Sequence, residues 1–313
     1  MMNVNFPRMD DITKENYKES TNNYKMIDIG ANLTHKKFSR DLNDVIQRAK
    51  ASGVIKIMVT GTSIKVSKEA IRLSRLYPDI LYATVGVHPH EAKFWDEQKS
   101  PNTLSILKDL ASNPECVAVG ECGLDYNRNF SSQATQLQVF EKQLKLAYEL
   151  QKPLFLHERE AHQDMVDLLE KYKMQETLPK CVIHCFTGSV EEVTTYLDLG
   201  CYIGLTGYLW KDQSQNGVRK ALMDNLIPLD RLLIETDAPF MYPNINSAKL
   251  PENIKNCLTQ DSKSYLHRNC SFQRNEPCSL PVTLEMISAF MDISPEDIAI
   301  ATTHNVEHIF GII

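Results

Sequence analysis

Short apolar runs alternate with stretches of helical period from Met26 to the end of the chain. Buried parallel strands have this short, β-branched character, whereas helices place apolar side chains three or four positions apart. The pattern predicts eight strands, which are Met26–Gly30, Ile55–Thr60, Leu81–Val87, Cys116–Gly120, Pro153–His157, Cys181–His184, Tyr202–Leu205 and Leu232–Glu235. Eight repeats of strand and helix favour a closed (β/α)8 TIM barrel over residues 26–313, and an open doubly wound sheet is the alternative.

The intervening stretches predict amphipathic helices whose apolar stripes pack against the sheet. The longest stripe carries Leu137, Phe140, Leu144, Ala147 and Tyr148. The last two helices are predicted over Val282–Met291 and Pro295–Thr303. Ser294 supplies a capping hydroxyl before the second of them, with a proline in its first turn, which is a typical helix start.

Two segments depart from this rhythm. Residues 1–25 are polar, carry both basic and acidic side chains and contain no apolar run, so we expect a disordered tail rather than a signal or transit peptide. Residues 241–280 are rich in Asn, Pro, Ser and Lys and follow the last strand, which predicts a long loop at the end of the barrel where active sites form.

Composition narrows the class of protein. Apolar residues make up 42% of the 313 positions and charged residues 24%, which is typical of a globular domain with a large core. The formal net charge of −6 argues against a broad basic surface that holds duplex DNA. Eight cysteines occur without a Cys-x-x-Cys pair, so we expect reduced thiols in a cytoplasmic or nuclear protein. No run is long enough to span a membrane.

Acid–base and metal-binding side chains concentrate directly after the predicted strands. They are Asn32, His88, His90, Glu121, His157, His184, Glu235 and Asp237. In a parallel barrel these positions converge on one rim, where active sites form. A lone histidine at a strand end is usually structural, but several imidazoles and carboxylates together predict a divalent-cation site that activates water for hydrolysis. A serine nucleophile elbow and the glycine-rich phosphate-binding loops are absent from the sequence.

Six motifs, in this order, resemble the TatD deoxyribonuclease family of metal-dependent hydrolases. They are Asp28-Ile-Gly-Ala-Asn-Leu-Thr34, the Gly-Val-His-Pro turn at His88, Gly-Glu-Cys-Gly-Leu-Asp around Glu121, His184-Cys-Phe-Thr-Gly188, Glu235-Thr-Asp-Ala-Pro239 and Arg274-Asn-Glu-Pro277. Each motif alone is modest, but the ordered set is specific. The resemblance implies a barrel hydrolase that acts as a 3′→5′ exonuclease on single-stranded DNA, with RNA as a second candidate substrate.

The resemblance also implies a set of site residues. Glu121, His157, His184 and Asp237 match the family's metal ligands, and Asp237 is also the candidate base for the attacking water. His88 matches a rim histidine beside the scissile phosphate, so the candidate catalytic residues are Asp237, Glu121 and His88. The expected cofactor is one or two divalent ions, with Mg²⁺ favoured and Mn²⁺ or Zn²⁺ as alternatives.

The candidate substrate-binding residues are Arg274, Asn32, Arg159 and Trp210. Arg274 resembles a substrate-side cation, and a salt bridge to Glu276 is the alternative. Trp210 is a candidate for stacking on bases, and a packing role is equally open. Cations of the 241–280 segment, including Lys263 and Arg268, interleave with aromatic residues, which indicates either a DNA groove or an ordinary solvated loop.

The chain departs from the family pattern at two places. Many relatives carry Asp-x-His-x-His on the first strand, but Gly30 and Asn32 occupy the histidine positions here. One metal position is therefore expected to have poorer or more oxygen-rich ligands, which favours Mg²⁺ or Mn²⁺ over a tightly bound pair of zinc ions. Glu158 stands where relatives have Cys or Ser. The alternatives to a nuclease are a related hydrolase such as a D-aminoacyl-tRNA deacylase, or a barrel that binds without catalysis. We expect a monomer.

Overall fold

The computed structural model describes residues 24–95 and 102–312. Eight parallel strands follow one another around a single sheet, each paired with the next along the chain. They are β1 Met26–Ala31, β2 Val54–Val59, β3 Leu81–Val85, β4 Cys116–Asp125, β5 Leu154–Arg159, β6 Cys181–Ile183, β7 Tyr202–Leu205 and β8 Leu232–Ile234. Asp237 N donates to Gly30 O at 2.8 Å and Asn32 N to Ala238 O at 2.7 Å, which joins the last strand to the first. The predicted (β/α)8 barrel is confirmed.

Helices surround the sheet, one between each pair of successive strands and the last four after β8. They are α1 Leu42–Ala51, α2 Ile64–Leu76, α3 Thr103–Ala111, α4 Gln133–Leu150, α5 His162–Met174, α6 Val190–Asp198, α7 Val218–Met223, α8 Glu252–Cys257, α9 Gln260–Asn269, α10 Leu280–Met291 and α11 Pro295–Phe310. The Ser294 side chain accepts from Asp297 N, as predicted for the start of α11, and this helix continues to Phe310 before Gly311 ends it in the left-handed region. Within residues 24–95 and 102–312, no helix combines the length and hydropathy needed to cross a bilayer.

The barrel interior is a packed core. Ile27, Ile29, Met58, Phe155 and Leu233 point into it and form one buried cluster with Val306, Ile309, Phe310 and Ile312 from the C-terminal segment. Asn305 Nδ2 donates to the carbonyls of Leu229 and Leu232 at the start of β8, which places the end of α11 across the N-terminal mouth. Because this mouth is closed, access to the polar residues at the opposite rim is from the C-terminal end of the strands.

The boundary of the predicted tail needs a correction. Tyr24 is buried and packs in the main core, and the Lys25 carbonyl accepts from Thr303 Oγ1 at 3.0 Å. The domain therefore includes the last two residues of the predicted tail, because an aromatic ring next to β1 can bury its surface against the helices. The rest of that prediction, residues 1–23, lies outside the described residues.

The segment 241–280 is not the irregular loop that its composition predicts, since it contains α8 and α9. Tyr265 Oη donates to the Ala51 carbonyl at 2.9 Å, at the end of α1 from which the chain enters β2. The middle of α9 thus lies against the outer wall of the barrel. This position does not support a DNA groove at Lys263, which is two residues before Tyr265.

Replacing Glu285 should release α9 from the barrel. Its buried carboxylate accepts from Thr259 N at 2.9 Å, Thr259 Oγ1 at 2.7 Å and Ser262 Oγ at 2.6 Å. Glu285→Ala leaves these donors without that acceptor and is expected to lower the free energy of unfolding by about 2–4 kcal/mol. Urea denaturation measures the loss, with the exposed Glu252→Ala as control. Equal midpoints for the two variants would show that the Glu285 contacts do not hold α9.

Candidate metal centre and active site

Glu121 lies at the centre of a group of imidazoles at the C-terminal rim. Its Oε1 atom is 3.2 Å from His88 Nε2, 3.0 Å from His157 Nδ1 and 2.9 Å from His184 Nε2. The register of β4 against β5 shifts between Gly120 and Cys122, and such bulges re-aim a side chain beside an active site. Burial opposes ionisation, but the His184 charge, the neighbouring His88 and the imidazole hydrogen bonds hold the pKa of Glu121 well below its usual value.

His184 is held between two carboxylates. Its Nδ1 atom is 3.1 Å from Glu235 Oε2, and Glu235 Oε1 accepts from Cys185 N at 2.5 Å. Glu235 is 0% exposed, so these contacts replace its lost hydration. Burial alone would lower the pKa of His184, but the Glu121 and Glu235 charges raise it well above its ordinary value. Glu235 fixes the orientation of the ring, as carboxylates do behind metal-binding histidines.

Asp237 follows β8 and completes the group of acids. Asn32 Nδ2 donates to its Oδ1 atom at 2.9 Å. Burial, together with the Glu121 and Glu235 charges, raises the pKa of Asp237 to about 7, although His184 acts in the opposite direction. Asn32, predicted as a substrate-binding residue, therefore contacts the candidate base, and this partner could not be identified from one sequence because the two residues are 205 positions apart.

The three histidines are of two kinds, which differ in the group that contacts the ring nitrogen facing away from Glu121. His184 Nδ1 faces Glu235 and His157 Nε2 lies 3.5 Å from Asp125 Oδ2, so a carboxylate lies behind each ring on the side away from Glu121. Without a cation, the nitrogens that face the ionised Glu121 donate to it, and a cation bound there would replace those protons. His88 differs, because its Nδ1 atom accepts from His90 N at 3.1 Å. In neutral His88 the proton is then on Nε2, which makes this nitrogen a donor rather than a metal ligand.

These residues fit a divalent cation. Ligand atoms of Glu121 and His157 lie within 4.8 Å of each other and of His88, which would donate at this site rather than bind the cation, and His184 contacts the same Glu121 oxygen. Nitrogen and oxygen donors together suit Mn²⁺ or Zn²⁺, and the carboxylates also suit Mg²⁺. His157 Nε2 is buried and forms no hydrogen bond of good geometry. The accumulated negative charge of Glu121, Glu235 and Asp237 is what a bound cation would compensate.

The loss of the first-strand histidine has a steric reason in this chain. A Cβ atom on Gly30 would lie 2.2 Å from Glu235 Oε2, and one on Gly204 would lie 2.5 Å from Glu235 Oε1. The Glu235 carboxylate therefore fills the space that a side chain at position 30 would need. Asp28, the remaining member of the motif, accepts from Thr236 Oγ1 at 2.5 Å and Thr236 N at 2.9 Å, which fixes the segment after β8.

Asp125 is a functional candidate to which sequence reasoning assigned no role. It ends the long strand β4, and its Oδ2 atom lies 2.7 Å from His90 Nε2. Burial would raise the pKa of Asp125, but the nearby His157 and His90 imidazoles hold it well below its ordinary value. The sequence feature that could have identified Asp125 is its place as the acid of the Gly-Leu-Asp motif, after a predicted strand. In the structure Asp125 pairs with a histidine on the neighbouring loop.

Arg274 is a correction to the predicted substrate-binding set. Its guanidinium donates to both Asp41 oxygens, at 2.8 and 2.7 Å, forms an ion pair with Glu276 and lies over the Phe38 ring. Arg48 Nε also donates to Glu276 at 2.8 Å. The charge of Arg274 is therefore compensated within the protein, and the salt-bridge alternative describes this residue.

The other predicted positions have different surroundings. Arg159 is exposed at the last residue of β5. Trp210 Nε1 donates to the Tyr242 carbonyl at 2.9 Å, so the indole is anchored at the rim. Glu158 does not disturb the rim, since its carboxylate accepts from Ala161 N at 2.8 Å and Tyr196 Oη at 3.2 Å.

Glu235→Gln should weaken metal binding without removing side-chain volume. His184 Nδ1 and Cys185 N contact different oxygens of Glu235, and in the amide one of these oxygens becomes an NH₂ group that cannot accept. We expect the affinity for Mn²⁺ to fall by about 10–100-fold, the range found when a partner behind a metal-binding histidine is lost. Calorimetric titration measures it, with the exposed rim variant Glu160→Gln as the matched control. An affinity equal to that of the control would contradict the positioning role of Glu235.

Comparisons with known proteins agree with this geometry. The model of the TatD related DNase family matches residues 27–311. Two curated relatives are each named 3′-5′ ssDNA/RNA exonuclease TatD. The one from Salmonella typhimurium is 39% identical over 92% of this chain and 100% of its own length. The one from Citrobacter rodentium is 40% identical over 92% of this chain and 98% of its own length.

Solved structures share the same barrel. A hydrolase TatD family protein from Entamoeba histolytica superposes with a TM-score of 0.78 at 28% identity, covering 93% of this chain and 99% of that protein. The TatD homolog YJJV from Escherichia coli K12 superposes with a TM-score of 0.74 at 26% identity, covering 91% of this chain and 98% of that protein. The resemblance found in the sequence is confirmed, and the chain belongs to the TatD-related DNase family.

Proposed function

We propose that this protein is a metal-dependent nuclease that hydrolyses phosphodiester bonds from the 3′ end of single-stranded DNA or RNA. The observation that carries the proposal is the convergence of three imidazole nitrogens on one oxygen of Glu121, with Asp237 beside them at the open rim. The relatives named as exonucleases cover almost the whole barrel, which supports the same reaction class here.

Glu121, His157, His184 and Asp237 would hold the cation, for which we propose Mg²⁺, with Mn²⁺ and Zn²⁺ as alternatives and one or two ions. When bound, such a cation lowers the pKa of a coordinated water and stabilises charge on a phosphoryl oxygen. The carboxylates behind His157 and His184 orient these rings, so the nitrogens that face Glu121 would lose their protons to become ligands when a cation binds.

Asp237 is the proposed base. Its pKa, raised to about 7 by burial and by neighbouring acids, makes this carboxylate a stronger proton acceptor than an ordinary aspartate. Asn32 donates to Oδ1, which leaves Oδ2 to accept the proton of the attacking water. Since every proposed ligand and the base come from one chain, we also propose that a monomer is the active form.

His88 is the proposed donor to the scissile phosphate. Burial lowers the pKa of His88 to about 4 despite the nearby Glu121 charge, so the ring is neutral. The proton on Nε2 can then stabilise charge that develops on a phosphoryl oxygen, as donors in oxyanion holes do. This role agrees with the phosphate-side position expected from the family.

Digestion of 5′-labelled single-stranded DNA and RNA with Mg²⁺, Mn²⁺, Zn²⁺ or EDTA tests the reaction, its polarity and its metal together. We expect progressive shortening from the 3′ end with a metal and none with EDTA. Glu121→Ala should lower kcat by about 10³-fold or more while circular dichroism shows a folded barrel, and Glu160→Ala should match the wild type. Retained activity in Glu121→Ala, or no shortening by the wild type with any metal, would overturn the proposal.

Alanine variants of His88 and His184 should separate binding from catalysis. His184→Ala removes a proposed ligand, so the affinity for Mn²⁺ should fall by about 100-fold or more. His88→Ala removes only a donor, so its Mn²⁺ affinity should stay near that of the wild type while kcat falls by about 10²-fold or more. Titration with Mn²⁺ and single-strand kinetics measure both quantities. A comparable loss of affinity in the two variants would show that His88 is a ligand instead.

A further inference from the structure

The exposed phenylalanines have an uneven distribution over the barrel. Among the described residues, Phe94, Phe130, Phe240 and Phe272 are 49–64% exposed. Phe94 and Phe130 lie in loops that follow β3 and β4, and the other two lie in the segment that follows β8. Every other described phenylalanine is buried. Exposed phenylalanine rings thus collect at the end of the barrel that carries the charged site.

Phe240 lies three residues after Asp237, the candidate base. Phe240 N donates to the Asp237 carbonyl at 2.9 Å, and His35 N donates to the Asn32 carbonyl at 2.9 Å. The His35 and Phe240 rings meet edge to face, with centroids 5.9 Å apart. Asn32 and Asp237 are hydrogen-bonded to each other. His35 and Phe240 each follow three residues later in the same two loops, so this ring pair lies beside the proposed metal centre, on its outer side.

Phe272 is held by two other aromatic rings. Its centroid is 6.0 Å from that of Trp210 and 4.9 Å from that of Tyr242. The indole is anchored to the Tyr242 carbonyl, so the three rings form one connected group on the loops after β7 and β8. The ring of Phe272 is therefore pre-positioned while more than half of the residue remains exposed.

Phe130 lies on the β4 side of the mouth. Its ring meets His90 edge to face, with centroids 4.8 Å apart, and His90 contacts Asp125. In the eight-strand order, β4 lies across the barrel from β8. Exposed rings therefore flank the metal centre on two sides. Exposed cations lie on loops of the same rim, at Lys36, Lys37, Arg159 and Lys211.

We propose that Phe130, Phe240 and Phe272 are stacking positions for the unpaired bases of a single nucleic-acid strand that crosses the barrel mouth. Aromatic rings combined with cations are the surface that binds single strands without sequence preference, since every base has a π-face and every link a phosphate. Paired bases in a duplex are already stacked and present their backbone outward, so these rings select for single strands. This inference rests on the proposed function for the position of the scissile phosphate.

Fluorescence anisotropy with 5′-labelled dT10 in EDTA measures strand binding without turnover. Phe240→Ala and Phe272→Ala should each raise Kd by about 5–100-fold, the loss expected from one stacked base. Phe272→Tyr should bind like the wild type, whereas Phe272→Leu should resemble Phe272→Ala, because stacking needs a ring rather than an apolar surface. Tyr148→Ala is the matched control, since it removes a 43% exposed ring from the last turn of α4, at the opposite end of the barrel.

Binding of an abasic decamer distinguishes the loss of base stacking from structural damage to the protein, because this strand keeps the phosphates and lacks the bases. The difference between wild type and Phe272→Ala should disappear on this strand, and KM for dT10 with the active metal should rise in parallel with Kd. Unchanged Kd in both alanine variants, or an equal loss on the abasic strand, overturns the inference. If the wild type binds dT10 but does not cleave it with any of the metals, the proposed function alone is overturned. The binding comparison still decides the stacking role.

Discussion

A carboxylate with no access to water, Glu235, constrains the whole mouth of the barrel. It must be satisfied by hydrogen bonds, and His184 Nδ1 and Cys185 N provide them. Its two oxygens fill the space beside Gly30 and Gly204, so β1 and β7 cannot carry side chains there. One buried charge thus explains why a histidine ligand can be missing from β1 and why His184 has one orientation. The proposed metal centre therefore takes its ligands from the other strands.

The nitrogen on which each imidazole keeps its proton depends on the group that contacts the side of the ring facing away from Glu121. Carboxylates behind His157 and His184 can keep a proton on the far nitrogen when a cation replaces the proton that faces Glu121, whereas a backbone N–H behind His88 leaves the proton of that ring on the nitrogen that faces Glu121. Residue type and position at the rim are alike for all three, so their chemical roles differ only through these neighbours. A ligand and a hydrogen-bond donor can therefore be told apart in a site where simple proximity would group them together.

The strands were predictable because their pattern is local. Tyr202–Leu205 was predicted to the residue, and the helix start at Ser294 follows from three neighbouring side chains. Partners distant in sequence were not predictable, such as Asn32 with Asp237 or Arg274 with Asp41. The polar composition of α9 indicated a loop because its stability comes from tertiary contacts, chiefly those of Glu285 with Thr259 and Ser262. Sequence thus indicated which rim residues matter, whereas their roles depend on contacts that only folding creates.

The rim therefore has two chemically different layers. The inner layer contains buried acids and imidazoles, whose charges require a cation and repel a bare phosphate in its absence. The outer layer contains phenylalanine rings and solvated cations, which attract bases and phosphates before the centre is reached. A protein with net charge −6 can approach a polyanion only if local features outweigh its overall field. Base stacking is insensitive to that field, so aromatic rings around an acidic centre reconcile the charge of this chain with a nucleic-acid substrate.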